Sequence, residues 1–315
     1  MSGPVQAWTR RDVGRRAVLA AGAGLLLSGC TGGGSGPLAG ISIAGGDTGG
    51  AFVRLSRLLG VRLEESGRVR EVRVLPSAGA VENVALVASG RADLAPAFAD
   101  SVRVHGSSSV VAVAKAYETL LHCLVRDDSG IEDVADLAGR RLAIGPAGSG
   151  TADSARRLLD SIGVEEPREG AWREVRVGDG AIALAGGAVD ALFWWGGRPA
   201  PEIEAVAAVG RFRALDLATL VDAGEGGVYR AVTMPTEFYG RPGTVTVGVA
   251  CQLVCRRDVD PALVRTVIEL VQAEGSALVP QPSNGLRYFA PATLYDTAPV
   301  PLHPAAVETY RSLHG

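Results

Sequence analysis

The chain has 315 residues, of which 47% are hydrophobic and 21% charged, and its net charge is −3. This composition is typical of a globular protein with an ample core. It excludes nucleic-acid binding that depends on an excess of basic residues. The length predicts roughly two domains of about 150 residues each.

Residues 1–29 have the pattern of a secretory signal peptide. Arginines at positions 10, 11, 15 and 16 precede the apolar segment 17–27, which is too short to span a bilayer as a stable helix. Arg15-Arg16 followed by Ala-Val-Leu resembles a twin-arginine export signal, and Arg10-Arg11 is a second candidate pair. We therefore predict export by the twin-arginine route.

The end of this segment, 27–30 (LSGC), resembles the bacterial lipobox. There the cysteine thiol is alkylated by a lipid, and small neighbours let the peptidase reach the adjoining bond. The alternative is a chance cysteine after an ordinary signal peptide. We predict lipidation at Cys30, a flexible Gly- and Ser-rich tether over 30–39, and anchoring on the outer face of the cytoplasmic membrane.

Three cysteines remain in the predicted mature chain: Cys123, Cys251 and Cys255. The last two lie too far apart along one predicted strand to bond each other. Cys123 could pair with either of them, but three buried free thiols are the favoured interpretation. No Cys or His spacing resembles a metal site, so we expect neither a metal nor a cofactor.

From residue 41 onward, short apolar strands alternate with amphipathic helices. The first set has predicted strands at 41–44, 72–75, 93–99, 110–114 and 120–125 and helices at 52–65 and 81–88. A polar break at 127–130 separates it from a second set, with strands at 142–144, 172–177, 191–194 and 212–215 and helices at 149–159, 181–185 and 201–209. This alternation indicates parallel sheets with helices packed on them.

A long strand at 244–255, a helix at 261–278 and a short helix at 307–313 complete the chain. The strand is suited to crossing back from the second set to the first. We therefore predict two α/β lobes joined by two crossing strands, with a ligand cleft between them. Lobe 1 is predicted from 40–125 plus 251–315 and lobe 2 from 126–250.

Three glycine-containing loops, 45–50, 76–79 and 145–151, follow predicted strands and precede helices. Such loops can point N–H groups at an anion. The third loop lacks the lysine of a phosphate-binding loop, which disfavours nucleotide hydrolysis. Asp47-Thr48-Gly49 matches the tripeptide of aspartic proteases, but no second copy supplies the partner carboxylate. The four histidines form no recognisable nucleophile arrangement.

Aromatic residues are concentrated at 193–199 (FWWGGRP), at the end of a predicted strand. Alternate strand residues face opposite ways, so one Trp is expected to face the cleft, with Trp195 ahead of Trp194. Arg198 is a candidate for a bidentate contact with a carboxylate, although a turn arginine is more often a surface residue. Tyr117 and Glu118 are further candidates for the cleft.

Several of these segments together resemble the TAXI family of TRAP-transporter solute receptors. The resemblance covers nearly all of 41–315 and rests on 46–52, 77–93 (SAGAVENVALVASGRAD), 117–130 (YETLLHCLVRDDSG), 137–151 (LAGRRLAIGPAGSGT), 190–199 and 303–313. It implies a type II periplasmic-binding-protein fold, no catalysis, and delivery of a small organic solute to TRAP-type permease subunits.

Matched by segment, the resemblance implies a set of pocket residues in the cleft. They are Thr48, Gly49, Phe52, Ser77, Ala78, Tyr117, Ser149, Gly150, Thr151, Trp195 and Arg198. Asp47 departs from the family, whose loop is usually uncharged there. Its carboxylate counts against an acidic ligand unless the side chain faces away from the cleft or pairs with an amine of the ligand.

The function expected from the sequence is a monomeric, lipid-anchored receptor for a small carboxylate-bearing metabolite. The alternatives are a receptor for an ABC transporter or a sensor kinase, and an exported enzyme that reuses the two-lobed fold. Lobe closure must supply much of the affinity, with hinges expected at 125–130 and within 244–255.

Overall fold

A ten-stranded mixed sheet runs through the described part of the chain. The computed structural model describes residues 37–48, 50–197, 200–207, 210–223, 227–234, 239, 243–280, 286 and 288–314. The predicted signal peptide and the lipidation site Cys30 lie outside these residues. Within them, every helix is too short or too polar to cross a bilayer.

The strands follow the alternating pattern closely. They are β1 (Ile41–Ala44), β2 (Val72–Leu75), β3 (Leu94–Phe98), β4 (Val110–Arg126), β5 (Leu142–Ala143), β6 (Trp172–Arg173), β7 (Ala191–Gly196), β8 (Phe212–Ala214), β9 (Tyr229–Thr233) and β10 (Val245–Arg256). Their order is β2-β1-β3-β10-β4-β7-β5-β6, with β8 beside β4 and β9 beside β10.

The α-helices connect and cover these strands. They are α1 (Ala51–Glu65), α2 (Ala80–Ala88), α3 (Ala99–His105), α4 (Gly150–Ser161), α5 (Val177–Ala185), α6 (Pro201–Ala207), α7 (Ala218–Ala223), α8 (Pro261–Glu274) and α9 (Pro304–His314). Short 3-10 helices lie at Val134–Leu137, Gly275–Leu278 and Pro291–Thr293. Helices α3 and α7 and strand β9 were not predicted; α3 and α7 are only two turns long, so their periodicity is weak.

Two antiparallel strands, β4 and β10, pass through the middle of the sheet and divide it into two halves. In the first half, β1 pairs in parallel with β2 and β3, and in the second half β5 pairs in parallel with β6 and β7. Residues 251–255 of β10 pair with β3, whereas residues 245–249 pair with β9. This is the mixed α/β fold with crossing strands that the sequence predicted.

The prediction of separate strands at 110–114 and 120–125 was wrong, because β4 is continuous from Val110 to Arg126. Lys115 and Glu118 interrupt its apolar pattern, yet both lie in the ladder with β10. Two register shifts in that ladder, at Cys251/Gln252 and Leu253/Val254, accommodate the long strand. Pairing with β7 begins at Leu120, so β4 already joins the second half five residues before the predicted lobe boundary.

Local apolar patterns explain how the elements pack. All five residues of β3 are buried, as expected for a strand covered on both faces. Helix α1 buries Leu55, Leu59 and Leu63 on one face, at the spacing of an amphipathic helix. At the C-terminus, α8 packs against α1 and α9, so the last helices cover the first half as predicted.

Two further observations correct or confirm the sequence predictions. Leu38 forms a parallel bridge with Val69, so the predicted tether over 30–39 ends before Leu38.

Cys123, Cys251 and Cys255 are buried free thiols, which is the interpretation that the sequence favoured. Burial raises the pKa of Cys255 to about 12.

Candidate ligand-binding site

A cavity of about 360 Å³ lies where the strand ends of the two halves meet. The loops after β1, β2 and β5 and the end of β7 all contribute to its lining. In open α/β sheets, ligands bind at the carboxyl ends of strands, and small-molecule pockets usually measure about 300–1,000 Å³. This cavity is therefore the candidate binding site.

Five helices begin at the wall of this cavity. The first residues of α1, α2, α4 and α5 (Ala51, Ala80, Gly150 and Val177) line it and carry a backbone N–H, whereas α6 begins there with Pro201, which has none. The first turn of a helix leaves backbone N–H groups without intrahelical partners, and the helix dipole places partial positive charge there. The backbone thus makes the cavity favourable for a negatively charged group.

The glycine loop before α4 is closed by a side-chain cap. Ser149 adopts an extended backbone, and its Oγ accepts a hydrogen bond from the N–H of Ala152 at 3.2 Å. The Thr151 hydroxyl oxygen accepts a hydrogen bond from the backbone N–H of Trp195 at 3.4 Å, which connects the start of α4 to the end of β7. The predicted strand, glycine loop and helix over 142–159 are confirmed, and the helix has Ser149 as its N-cap.

Loops from the two halves touch each other beside the cavity. Gly79 has φ 139° and ψ −151°, a conformation that only glycine adopts readily, and a Cβ there would lie 3.2 Å from Ser149 Cα. A Cβ on Gly150 would lie 2.5 Å from the Phe98 ring. The absence of side chains at these positions therefore lets the two halves close on one another.

Arg54 supplies a cation to the cavity from the second turn of α1. Burial raises the pKa of Tyr288 to about 12 and that of Tyr117 well above its usual value, while the nearby Arg54 charge acts in the opposite direction on both. Both tyrosines therefore stay protonated at neutral pH. The cavity wall therefore contains one guanidinium and two neutral tyrosines among its described residues.

Asp47, the residue that departs from the expected family pattern, is paired across the cleft. Its Oδ1 accepts a hydrogen bond from Arg176 Nη2, and Arg176 Nη1 donates to the Thr48 carbonyl at 3.4 Å. Arg176 immediately precedes α5 in the second half, whereas Asp47 follows β1 in the first half. The Asp47 carboxylate is thus compensated within the protein, and its presence does not exclude an anionic ligand.

Both tryptophans at the end of β7 are among the residues that line the cavity. The strand ends at Gly196, and the cavity continues around that end past Gly197 and Ala200. Trp194 also stacks on His122, with ring centroids 4.6 Å apart.

The structure brings most of the predicted pocket residues together. The cavity is lined by Phe52, Ala78, Tyr117, Ser149, Gly150, Thr151 and Trp195. Thr48 and Ser77 are outside the lining, and the Ser77 hydroxyl instead donates to Asn83 Oδ1 at 2.5 Å. Gly49 and Arg198 lie outside the described residues.

Sequence reasoning missed Arg54, Phe98, Thr119 and Tyr288, all of which line the cavity. Arg54 lies two positions after the predicted Phe52, and an arginine near the start of the helix that follows the glycine loop 45–50 was the available signal. The other three residues had no signal in the sequence, because tertiary packing brings them to the site.

No cluster of three or more metal-ligating side chains occurs among the residues that the structure describes.

Fold and cavity together define a periplasmic solute-binding protein fold: two α/β halves, crossing strands and a ligand cavity between the strand ends. The chain belongs to the NMT1-like family, whose family model matches residues 43–312.

Solved structures with low sequence identity share this fold. XAC2383 from Xanthomonas citri bound to ATP has a TM-score of 0.52 and 16% identity, covering 87% of this chain and 98% of that one. PhnD1 from Prochlorococcus marinus in complex with methylphosphonate has a TM-score of 0.51 and 10% identity, covering 88% and 98%. At these identities the similarity concerns the fold alone.

Proposed function

We propose that this protein is an extracytoplasmic receptor, not an enzyme, which captures a small organic anion in the cavity between its two halves. The observation that carries the proposal is the convergence of four helix N-termini and the Arg54 guanidinium on one cavity. Asp47 does not oppose this, because Arg176 compensates its charge. A carboxylate-bearing metabolite fits these donors best.

Typical interaction free energies indicate how the binding affinity would arise. A micromolar dissociation constant corresponds to about 8 kcal/mol. Each helix terminus contributes about 0.3–1 kcal/mol, and a hydrogen bond to a charged group about 1.5–3 kcal/mol. Helix termini and Arg54 therefore account for only part of the binding, and closure over the aromatic side chains supplies the rest by excluding water.

The proposal includes membrane attachment and delivery to a transporter, which two features of the sequence support. The lipobox at 27–30 and the resemblance to TAXI receptors support a lipoprotein, anchored through Cys30, that delivers its solute to TRAP-type permease subunits. Such a receptor acts as a monomer on the outer face of the cytoplasmic membrane.

A ligand screen tests the receptor role directly. Thermal-shift measurements with organic acids and amino acids, together with mass spectrometry of any small molecule that co-purifies, should identify an anion that raises the melting temperature. Stabilisation only by neutral or cationic compounds would contradict the proposal. Chemical turnover of a bound compound would instead support the enzyme alternative.

The role of Arg54 is tested by the Arg54→Gln variant. Loss of the guanidinium should weaken binding of the stabilising acid by about tenfold or more, equivalent to about 1.4 kcal/mol, in isothermal titration calorimetry. Arg57→Gln is the matched control, because Arg57 is exposed on the same helix. Equal effects of the two substitutions would contradict a direct role for Arg54.

Localisation and the transport partner need separate experiments. Cys30→Ser should move the protein from the membrane fraction to the released fraction. Uptake of the identified acid should require both this receptor and the TRAP-type permease subunits of the same cell. Uptake that depends on ATP hydrolysis would favour an ABC transporter, and altered phosphorylation of a kinase without uptake would favour a sensor role.

A further inference from the structure

Aromatic side chains are concentrated in the cavity far beyond their share of the chain. The whole sequence has only four Trp, six Tyr and six Phe residues, and six of these sixteen line this one cavity. They are Phe52, Phe98, Tyr117, Trp194, Trp195 and Tyr288. The remaining apolar lining is mostly Gly and Ala, with Val177, Pro201 and Leu286 as the larger aliphatic members. The bulky apolar surface offered to a ligand is therefore aromatic.

The rings form ordered contacts that cross between the two halves of the fold. Phe52 and Phe98 from the first half have centroids 5.0 Å apart, and Phe98 lies 5.6 Å from Trp195 of the second half. Tyr117 and Tyr288 form a second pair, with centroids 4.5 Å apart. Aromatic rings favour such tilted or offset arrangements, and a flat ligand ring can extend them.

Charged side chains also line this cavity. Among the described residues of the cavity wall, Arg54 is basic, and its charge acts on the hydroxyls of Tyr117 and Tyr288. Asp47 and Glu202 are acidic, and Arg176 pairs with Asp47. A guanidinium can bind a carboxylate through two parallel hydrogen bonds.

We infer that the ligand class is an aromatic carboxylate, with its carboxylate at Arg54 and its ring against Phe52, Phe98 and Trp195. This inference rests on the proposed receptor function and narrows its substrate class. It separates aromatic acids from aliphatic dicarboxylates, which would meet the same N–H groups but gain nothing from the rings.

The test compares two ligands that differ only in ring saturation, benzoate and cyclohexanecarboxylate, with succinate as the aliphatic dicarboxylate. Calorimetry on the full chain should show benzoate binding at least about tenfold more tightly than either of the others, a difference of about 1.4 kcal/mol. Benzyl alcohol, which keeps the ring and lacks the charge, should bind more weakly than benzoate.

Two variants of Trp195 test the ring contact. Trp195→Phe retains an aromatic ring and should keep the preference for benzoate over cyclohexanecarboxylate, whereas Trp195→Leu should lose it. Circular dichroism and thermal melting establish that both variants are folded. Should Trp195→Leu fail to fold, the comparison of the three acids on the unaltered protein still tests whether the ligand class is aromatic.

Equal binding of benzoate and cyclohexanecarboxylate, or tighter binding of succinate, would overturn the aromatic ligand class while leaving the receptor function in place. Failure of every acid in the wider screen, with a neutral or cationic compound co-purifying, would overturn the receptor-for-anions proposal as well.

Discussion

Gly79 allows the two halves of the cavity wall to touch. Its backbone, with φ 139° and ψ −151°, lies in a region that is essentially restricted to glycine. A Cβ at the same position would lie 3.2 Å from Ser149 Cα, so the Ser149 loop would have to move by a few tenths of an ångström to admit it. The backbone conformation therefore demands glycine here, and the close approach favours it as well.

Gly79→Ala should destabilise the fold and weaken ligand binding together. The strained backbone should cost about 1–3 kcal/mol in the free energy of unfolding, and separation of the loops at Gly79 and Ser149 should reduce affinity. Urea denaturation and calorimetry measure the two effects.

Gly139→Ala is the control for this substitution. Gly139 also has a positive φ, 76°, but a Cβ there meets nothing within 4 Å. It should lower stability without changing affinity for the identified acid. Unchanged binding in Gly79→Ala would show that contact between the loops does not matter for the cavity.

At the scale of elements, a buried polar network joins α3 of the first half to α4 and β9 of the second. Asp100 is 2% exposed, and its Oδ2 accepts hydrogen bonds from Arg157 Nη2 at 2.8 Å and from the Tyr229 hydroxyl at 2.7 Å. Burial opposes the Arg157 charge, but Tyr229, Asp100 and Asp153 together raise its pKa. Because Tyr229 also stacks on Trp195, this network lies directly behind the cavity.

Asp100→Asn should lower the free energy of unfolding by about 3 kcal/mol, the low end for removing one partner of a buried ion pair. Arg157 retains Asp153 at 3.0 Å, which limits the loss. Tyr229→Phe, which keeps the ring but removes one donor, should cost only about 1 kcal/mol. Urea denaturation measures the free energy of unfolding of both variants. Equal losses in Asp100→Asn and Tyr229→Phe would contradict a contribution from the ion pair.

A second cross-element contact should make stability depend on pH. Asp190, just before β7, accepts hydrogen bonds from the Arg141 backbone N–H at 2.9 Å and from its guanidinium at 2.7 and 3.1 Å. Burial opposes ionisation of Asp190, but these bonds and the Arg141 charge outweigh it and lower its pKa. The ionised carboxylate is therefore favoured in the folded state.

Because the Asp190 pKa is lower in the folded than in the unfolded state, its contribution is present at neutral pH. It is lost as pH falls below the ordinary value of about 3.9 and through the folded pKa. The difference in unfolding free energy between the unaltered protein and Asp190→Asn should shrink between pH 7 and pH 3. Asp160→Asn, at an exposed position on α4, is the control. A constant difference would contradict this role for Asp190.

At the scale of the whole molecule, the Asp47–Arg176 pair bridges the two halves beside the cavity. The Arg176 side chain is 56% exposed, so salt should screen the pair. Exposed pairs of this kind contribute about 0.2–1 kcal/mol. The Asp47–Arg176 pair is therefore suited to adjusting the rate at which the two halves separate. It contributes little to the free energy of unfolding.

Asp47→Asn should speed dissociation of the acid that stabilises the protein most by about two- to fivefold, the rate equivalent of about 0.5–1 kcal/mol. Stopped-flow displacement measures it, and raising the salt concentration should speed dissociation more in the unaltered protein than in the variant. Glu65→Gln breaks a comparable exposed pair with Arg62 at the other end of α1 and is the control. An unchanged rate in Asp47→Asn would show that the bridge does not restrain opening.

Much of the fold could be predicted from local patterns. Alternating apolar segments located β1–β3, β7 and β10, and the glycine loop 145–151 located the start of α4. The short elements α3, α7 and β9 escaped prediction because a few residues cannot establish a period. The continuity of β4 was not predicted because Lys115 and Glu118 are polar. Only their pairing with β10 shows that they belong to one strand.

The sequence by itself determined the α/β class, the crossing strands and the three glycine loops, because local apolar patterns and turn residues encode them, and the family resemblance supplied the predicted pocket residues. Only the tertiary structure decided that Arg54 and Tyr288 share a wall and that Asp47 pairs with Arg176, 129 positions away. These contacts depend on how the two halves pack, and a pattern of nearby residues carries no information about distant partners. The glycine loops form the frame of the site, whereas its charge and its aromatic character come from residues that folding brings together.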